Sequence, residues 1–399
     1  MRIAITGASG SVGQMLVPRL RAKGVDLVLL GRDPARLAAL FPGIPSAGLN
    51  DLAAQSGLDA VVNLSARNND AGGDLADFRA ANVDLPRALR AVPVPRFIQL
   101  SSVHALDPQN QTPYAVSKRE ADALLAAEAG TGVTILHAPA IWGERLAGRL
   151  ASIARLPGVL QGPALAVARA LKPSLSVDRL ATEILRLTAA PPQPFQAVVL
   201  ADDQADNRGH RILKRTMDLS AAVLLLGLTW WAILIAWGLV KWTSPGPGLF
   251  LQDRVGRNGR VFRCVKLRTM TTDTPNVASH EAGTATITPI GRKLRATKLD
   301  ELPQLWNVLK GEMSMVGPRP CLPVQAEVIE ARRRYGVLDM VPGITGLSQI
   351  QGIDMSTPDL LAQTDRRYKD LQGLLFDIRI ILATARGRGS GDAAAVKPR

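Results

Sequence analysis

The sequence has few cysteines, and their positions indicate neither a disulfide framework nor a metal site. Only Cys264 and Cys321 occur among 399 residues, and neither stands at metal-ligand spacing from another ligand. This usage excludes a disulfide-stabilised secreted scaffold and fits a reducing compartment. We also expect no signal peptide, because Met1–Ile5 leads directly into a predicted strand.

Acidic residues are scarce in the second half of the chain relative to basic ones. Residues 1–207 carry 20 Lys and Arg against 18 Asp and Glu, whereas residues 208–399 carry 28 against 16. The second half also lacks the basic and aromatic pattern of nucleic-acid-binding folds, so we expect no nucleic-acid partner. A membrane surface together with a phosphate-bearing substrate explains the excess positive charge better.

One long stretch, Leu219–Val240, contains no charged residue over 22 positions. A helix there would span about 33 Å at about 1.5 Å per residue, against about 30 Å of bilayer hydrocarbon. We therefore predict a membrane helix over residues 217–242, after a linker over 206–216. Basic residues flank both ends, so the charge rule does not choose between a spanning and a re-entrant helix.

The N-terminus combines a predicted strand, a glycine-rich turn and a predicted helix. This order is the context of a dinucleotide-binding fingerprint, in which glycines let the backbone approach a pyrophosphate at the helix N-terminus. The predicted cofactor contacts are Gly7, Ser9, Gly10 and Gly13. Arg32 follows the second predicted strand and favours the 2′-phosphate of NADP, with a solvated loop charge as the alternative and NAD as the other candidate cofactor.

A second set of polar residues follows the later strands of this half. Ser102 ends a predicted strand, and Tyr114 and Lys118 share one helix face because they are four residues apart. A nearby ammonium lowers the pKa of a phenol, so we expect Tyr114 to act as a general acid or base. Ser102 is expected to hydrogen-bond a carbonyl or hydroxyl of the substrate.

Residues 1 to about 200 resemble the extended short-chain dehydrogenases/reductases of the nucleotide-sugar epimerase/dehydratase group. The resemblance is carried by Thr6-Gly7-x-x-Gly10-x-x-Gly13, Leu100-Ser101-Ser102, Tyr114-x-x-x-Lys118 and 136–143. It implies a Rossmann fold, a nicotinamide cofactor and catalysis by Ser102, Tyr114 and Lys118. Val103 and His104 stand where dehydratases carry an Asp-Glu pair, which favours a 4-keto reductase over a dehydratase. A non-catalytic nucleotide-binding scaffold is the alternative, since the substrate part is short.

The second half contains two adjacent carboxylates, Asp300 and Glu301, directly after several cations within 292–298. Cations bind an anionic substrate and favour an ionised carboxylate. Such a carboxylate can attack phosphorus or hold a metal. The acidic first turn of a helix is the alternative for so short a motif.

Residues about 210–386 closely resemble the bacterial sugar transferases, the monotopic polyprenyl-phosphate phosphoglycosyl transferases. The motifs are Leu299-Asp300-Glu301-Leu302, Gly317-Pro318-Arg319-Pro320 and Pro342-Gly343-Ile344-Thr345-Gly346. The resemblance implies that a UDP-sugar gives its phospho-sugar to polyprenyl phosphate and leaves UMP. It implies Asp300 as nucleophile, Glu301 assisting, both near Mg²⁺, and Arg319 binding phosphate, with Arg268 and Arg295 as further substrate-binding candidates. Trp230-Trp231 replace the family's usual Ser-Pro helix break, and Val341 replaces an Arg.

We thus expect an α/β protein with a doubly wound Rossmann domain over 1–205, the linker, the membrane helix, a small α/β transferase domain over 243–390 and a disordered tail over 391–399. The expected partners are a UDP-sugar, polyprenyl phosphate and the bilayer, with a homodimer as a candidate assembly. The expected location is the bacterial inner membrane, with both catalytic domains facing the cytoplasm. A ketosugar reductase or epimerase would then prepare the donor for the transferase.

Overall fold

The computed structural model describes residues 1–128, 130–146, 148–272 and 287–389, so the predicted tail over 391–399 lies outside the described residues. The chain divides into two compact units, Met1–Arg169 with Pro173–Asp203 and Ala170–Lys172 with Gln204–Arg399. The domain boundary after residue 205 stays a prediction. Each unit is described separately below.

The first unit is built on a seven-stranded parallel sheet in the order β3-β2-β1-β4-β5-β6-β9. Its strands, with the separate pair β7 and β8, are β1 (Arg2–Thr6), β2 (Asp26–Gly31), β3 (Ser46–Gly48), β4 (Ala60–Asn63), β5 (Phe97–Ser102), β6 (Val133–Ala138), β7 (Ala140–Trp142), β8 (Ser174–Ser176) and β9 (Gln196–Val199). The connecting helices are α1 (Ser11–Ala22), α2 (Pro34–Leu40), α3 (Leu75–Arg79), α4 (Leu85–Arg90), α5 (Pro113–Ala127), α6 (Gly158–Leu171) and α7 (Val177–Ala189).

Alternation along the strands gives this sheet two apolar faces. Ile3 and Ile5 of β1 pack in one cluster with Leu16 of α1, while Ala4 between them belongs to another cluster with Leu125 of α5. Successive strand side chains point to opposite faces, so a strand buried on both sides is apolar throughout. The predicted doubly wound Rossmann architecture is confirmed.

The second unit begins with one 36-residue helix, α8 (Arg208–Thr243). Asn207 caps it by accepting a hydrogen bond from the His210 amide at 3.3 Å. Residues 208–216, predicted as linker, are therefore the first turns of the helix, because a side-chain cap starts it before the apolar run. The helix continues without interruption through Trp230 and Trp231 and is long and apolar enough to cross a membrane.

Short elements complete the second unit around α8. The strands β10 (Leu249–Val255) and β11 (Val261–Leu267) form the predicted hairpin, with Asn258 and Gly259 at φ 57° and 76°. The strands β12 (Ser314–Val316) and β13 (Gly343–Thr345) pair in parallel. The remaining helices are α9 (Pro289–Ala296), α10 (Leu305–Lys310), α11 (Ala326–Arg334), α12 (Leu347–Ile350), α13 (Pro358–Leu371) and α14 (Leu374–Ala385).

Candidate functional site

The two adjacent carboxylates lie on a 3-10 turn, Leu299–Gln304, directly after α9. Lys298 begins this turn in the left-handed conformation, with φ 56°, which is uncommon outside glycine. Asp300 is 8% exposed, and the Glu301 side chain is 23% exposed. The turn therefore keeps the Asp300 carboxylate largely away from water and leaves the Glu301 carboxylate partly exposed to it.

Cations from two other elements surround Glu301. Lys266 of β11 places its Nζ 3.0 Å from Glu301 Oε1, and Arg319, which follows β12, places its Nη2 3.7 Å from the same oxygen. Charge-assisted contacts of this kind are stronger than neutral hydrogen bonds. Glu301 is thus the acidic centre of a cationic cluster built from residues far apart in sequence.

The surroundings separate the acidities of the two carboxylates. Burial, and after it the charge of Glu301, raises the pKa of Asp300 from 3.8 to about 6. Burial alone would raise the pKa of Glu301 as well, but Lys266 and Arg319 outweigh it and lower that pKa to about 2. Environments that push two neighbouring pKa values apart assign different roles to the two groups. Asp300 is the poorly solvated carboxylate with the raised pKa, and Glu301 is the carboxylate that stays ionised beside Lys266 and Arg319.

Both carboxylates line a cavity of about 400 Å³ within the second unit, together with all three predicted substrate-binding arginines. Arg295 donates from Nε to Thr269 Oγ1 at 2.9 Å. Arg268 directs its guanidinium to the backbone oxygens of Ser244, Pro245 and Pro247 at 2.7 to 3.0 Å. Arg268 therefore holds the turn that follows α8, whereas Arg295 and Arg319 flank the carboxylates.

A buried ionic network supports the strand that leads to Arg319. Lys214 of α8 lies 2.9 Å from Asp377 and 3.3 Å from Asp218, and it donates to the Val316 carbonyl of β12 at 3.3 Å. Asp218 accepts from the Met315 amide at 3.0 Å. Asp377 accepts from the Tyr368 hydroxyl at 2.7 Å. The start of α8 is thereby fixed to the strand three residues before Arg319.

In the first unit, the glycines of the predicted cofactor turn serve close packing. A side chain on Gly7, where φ is 74°, would meet the Ser65 amide nitrogen at 2.6 Å. One on Gly13 would meet the Ala8 carbonyl oxygen at 2.5 Å. The Gly10 amide donates to the Gly7 carbonyl at 3.1 Å, which leads the turn into α1 at Ser11. These contacts fit the dinucleotide fingerprint, in which the glycines allow a tight turn and close helix–strand packing. Ser9 lies in the same turn, and its carbonyl accepts from Gln14 at 2.8 Å.

The predicted catalytic set is brought together at the end of β5 and the start of α5. Tyr114 hydrogen-bonds Ser102, and Lys118 donates to the Leu100 carbonyl at 3.1 Å. Burial lowers the pKa of Lys118 to about 8, against an opposing effect of Asp122. Burial also raises the pKa of Tyr114. The expected lowering of that pKa by Lys118 is therefore wrong for the described side chains, because desolvation outweighs the hydrogen bond from Ser102.

Sequence reasoning missed two members of these sites. Lys266 is absent from the predicted site, although strand alternation places it on the same side as Arg268. Asp122 follows Tyr114 and Lys118 at the same four-residue spacing, and its carboxylate contacts Ser101 at 2.8 Å and His137 at 2.9 Å. Arg32 is exposed after β2, as a loop charge would be, so its role towards NADP stays a prediction.

Comparison with known proteins agrees with the second-unit geometry. Residues 209–388 match the family model of the bacterial sugar transferases. A UDP-glucose:undecaprenyl-phosphate glucose-1-phosphate transferase of Caulobacter vibrioides is 39% identical over 215 residues, covering 51% of this chain and 75% of that protein. The chain belongs to the bacterial sugar transferase family. An uncharacterised sugar transferase, EpsL of Bacillus subtilis, is 38% identical over 44% of this chain and 86% of its own length.

This sugar transferase also carries a second family match. Residues 3–157 match the model of the NAD dependent epimerase/dehydratase family. A structure of MoeE5 in complex with UDP-glucose and NAD is 18% identical over 51% of this chain and 77% of its own length, with a TM-score of 0.40. The predicted fusion of the two families is thereby confirmed.

Proposed function

We propose that the second unit transfers a phospho-sugar from a UDP-sugar to polyprenyl phosphate and releases UMP. The observation that carries this proposal is the buried Asp300 beside the Glu301, Lys266 and Arg319 cluster in one cavity. Relatives of this chain are named as undecaprenyl-phosphate transferases of glucose and galactose phosphates. A cationic cavity suits the diphosphate of the donor and the phosphate of the acceptor alike.

In the proposed mechanism, an oxygen of Asp300 attacks the sugar-bearing phosphorus. The bond from that phosphorus to the bridging oxygen breaks, and UMP leaves with the electron pair. An oxygen of polyprenyl phosphate then attacks the same phosphorus and displaces the Asp300 carboxylate, which yields the polyprenyl diphosphate sugar. Two displacements through a covalent intermediate give ping-pong kinetics. Arg319 and Lys266 bind phosphate oxygens during both steps.

Mg²⁺ fits this site only with help from the substrate. Among the described residues there is no group of three or more His, Cys, Asp or Glu side chains suited to a metal. Mg²⁺ usually takes one or two carboxylates and completes its shell with waters and substrate phosphates. Asp300 and Glu301 would hold the ion together with the diphosphate, whose negative charge it would neutralise.

We infer that α8 stays at one face of the bilayer and is immersed along its exposed apolar side, because the helix has no break at which it could turn back. Only 11% of its most apolar window is buried, which disfavours a soluble core helix. Near its start, Arg215 donates to the carbonyls of Val308 and Leu309 at 2.6 and 2.8 Å. Near its end, Val240 packs with Leu294 of the same unit. Two ends held by one small unit favour the monotopic arrangement over a spanning helix, with both units on the cytoplasmic side of the inner membrane.

UMP release by the detergent-solubilised full chain tests the transferase. We expect release from a matching UDP-sugar to require Mg²⁺ and to stop after one turnover when undecaprenyl phosphate is absent, because UMP leaves before the lipid acceptor reacts. Asp300→Asn should abolish it, whereas the exposed Glu327→Gln should leave it unchanged. Release that persists in Asp300→Asn would refute the nucleophile.

We further propose that the first unit either reduces a UDP-4-keto sugar with NADPH or NADH, which leaves as NADP or NAD, or epimerises a UDP-sugar by oxidising a hydroxyl with bound NADP or NAD and returning the hydride, and so makes the donor for the second unit. The contact of Tyr114 with Ser102 beside Lys118 supports this chemistry. Exposed Arg32 at the end of β2 favours NADP. Full-chain Asp300→Asn supplied with UDP-4-keto-6-deoxy-N-acetylhexosamine should oxidise NADPH without releasing UMP.

A non-catalytic scaffold is the competing role of the first unit, and Tyr114→Phe separates the two. Loss of NADPH oxidation in Tyr114→Phe with retained UMP release would support the reductase. The scaffold would be favoured if neither the chain with Tyr114 nor the Tyr114→Phe variant oxidised NADPH and if the variant left the lipid product in cells unchanged. The homodimer remains a prediction.

A further inference from the structure

Helix α6 leaves an apolar stripe uncovered. Leu160, Val167 and Leu171 are 51, 44 and 36% exposed, and Val159 is 84% exposed. Leu156, just before the helix, is 38% exposed. Residues 156, 160, 163, 167 and 171 recur at intervals of three and four, so they follow one side of the helix. Contiguous exposed apolar residues mark a surface for a partner or a membrane.

The stripe is a built feature with a defined inner side. The Leu160 amide donates to the Pro157 carbonyl at 2.8 Å, and the Gln161 side chain donates to the Leu156 carbonyl at 2.9 Å. These bonds fix the entry turn directly before the helix. Residues 161, 164–166, 168 and 169 are half-buried, so the helix packs on one side and presents the other.

The charge along this segment of the chain is of one sign. Residues 145–177 contain five basic residues and no acid. Arg169 is used internally, over the Trp142 ring at 4.2 Å and 3.4 Å from Asp202. Arg145, Arg155 and Lys172 are exposed. A second copy of this chain would bring the same positive charge against this surface and be repelled, whereas anionic lipid carries the opposite charge.

We propose that α6 lies on an anionic bilayer surface, with its apolar stripe in the acyl boundary and Arg155 and Lys172 at the headgroups. Apolar residues on one helix face with cations beside them are the signature of interfacial helices. Each basic residue near an anionic surface strengthens binding severalfold. The proposal rests on the membrane location proposed above and adds a second lipid contact, which holds the nucleotide-binding unit at the surface.

Fluorescent cysteine probes on the full chain in vesicles test the proposal. Cys264 and Cys321 are buried, so an NBD label reports an introduced cysteine. Leu160→Cys samples the stripe, and Leu40→Cys, at a leucine 41% exposed on α2, is its matched control. Val223→Cys, at a position 61% exposed on α8, reports membrane insertion. Brominated lipids in phosphatidylcholine vesicles, with or without phosphatidylglycerol, supply the quencher.

We expect bromine to quench the Leu160 probe in vesicles with phosphatidylglycerol and to leave the Leu40 probe unquenched. Arg155→Gln with Lys172→Gln should remove the dependence on phosphatidylglycerol. Quenching at Val223 but not at Leu160 overturns this inference alone. No quenching at Val223 overturns the membrane location, and the inference fails with it. The Leu160 probe could instead stay unquenched while its emission shifts with the density of protein on the vesicles. That result would assign the stripe to a second copy of the chain and would also overturn the proposal.

Discussion

Asp300 and Glu301 are neighbours in sequence, yet we expect opposite changes in stability when each loses its charge. Folding raises the pKa of Asp300 from 3.8 to about 6, because burial disfavours the ionised form. Each pKa unit corresponds to about 1.4 kcal/mol. The ionised Asp300 therefore costs the folded state about 3 kcal/mol at neutral pH.

The sign follows from proton binding. A raised folded pKa means that the folded chain holds the proton more tightly, so stability falls as pH rises from about 4 to about 6. Asp300→Asn should then increase the free energy of unfolding at pH 7.5 by up to about 3 kcal/mol. The gain should fade as pH falls towards 4, where the wild-type carboxyl is protonated too.

Glu301→Gln, in contrast, should decrease the free energy of unfolding. Its folded pKa is lowered from 4.5 to about 2 by Lys266 and Arg319, which outweigh burial. The ionised Glu301 therefore stabilises the folded chain by about 3 kcal/mol above pH about 4.5, and this contribution is lost as pH falls towards 2. The Gln variant removes it and leaves Lys266 without its carboxylate.

Thermal unfolding followed by tryptophan fluorescence measures both effects, since five of six tryptophans lie between residues 230 and 306. A change of about 3 kcal/mol shifts the Tm of a unit of this size by about 6–12 °C. At pH 7.5 we expect the Tm of Asp300→Asn to be higher than that of the wild type and the Tm of Glu301→Gln to be lower. The control Glu327→Gln, at an exposed position, should have the same Tm as the wild type. An Asn variant that melts at or below wild type would refute the burial argument.

Three further outcomes are expected. Lys214→Met leaves Asp377 buried without its cation and should destabilise the second unit by about 3–5 kcal/mol, which a lower Tm would show. An unchanged Tm would count against a stabilising role of the buried ion pairs of Lys214. Gly13→Val meets the Ala8 carbonyl at 2.5 Å and should abolish NADPH binding in calorimetry while UMP release continues. The rate of NADPH oxidation should fall above pH about 8, because Lys118 loses its positive charge there. A rate that stays constant up to pH 10 would exclude a role for the charged Lys118.

The features that the sequence predicted depend on near neighbours in the chain. The hairpin at Asn258-Gly259 follows from two residues that tolerate positive φ. The turn from Gly7 to Gly13 and the uncharged run from 219 to 240 are likewise local patterns. The family motifs around Asp300 and Arg319 are contiguous too, so their resemblance was visible before any coordinates.

Tertiary structure alone decided which charges meet. Lys266 and Glu301 are 35 positions apart, and only the packing of β11 against the Leu299–Gln304 turn joins them. Arg268, an equal candidate by sequence, holds backbone carbonyls instead. Burial reversed the expected pKa shift of Tyr114 and separated Asp300 from Glu301. Sequence determines local backbone conformation and apolar periodicity, but desolvation and ion pairing act through space and depend on atoms that only the folded chain brings together.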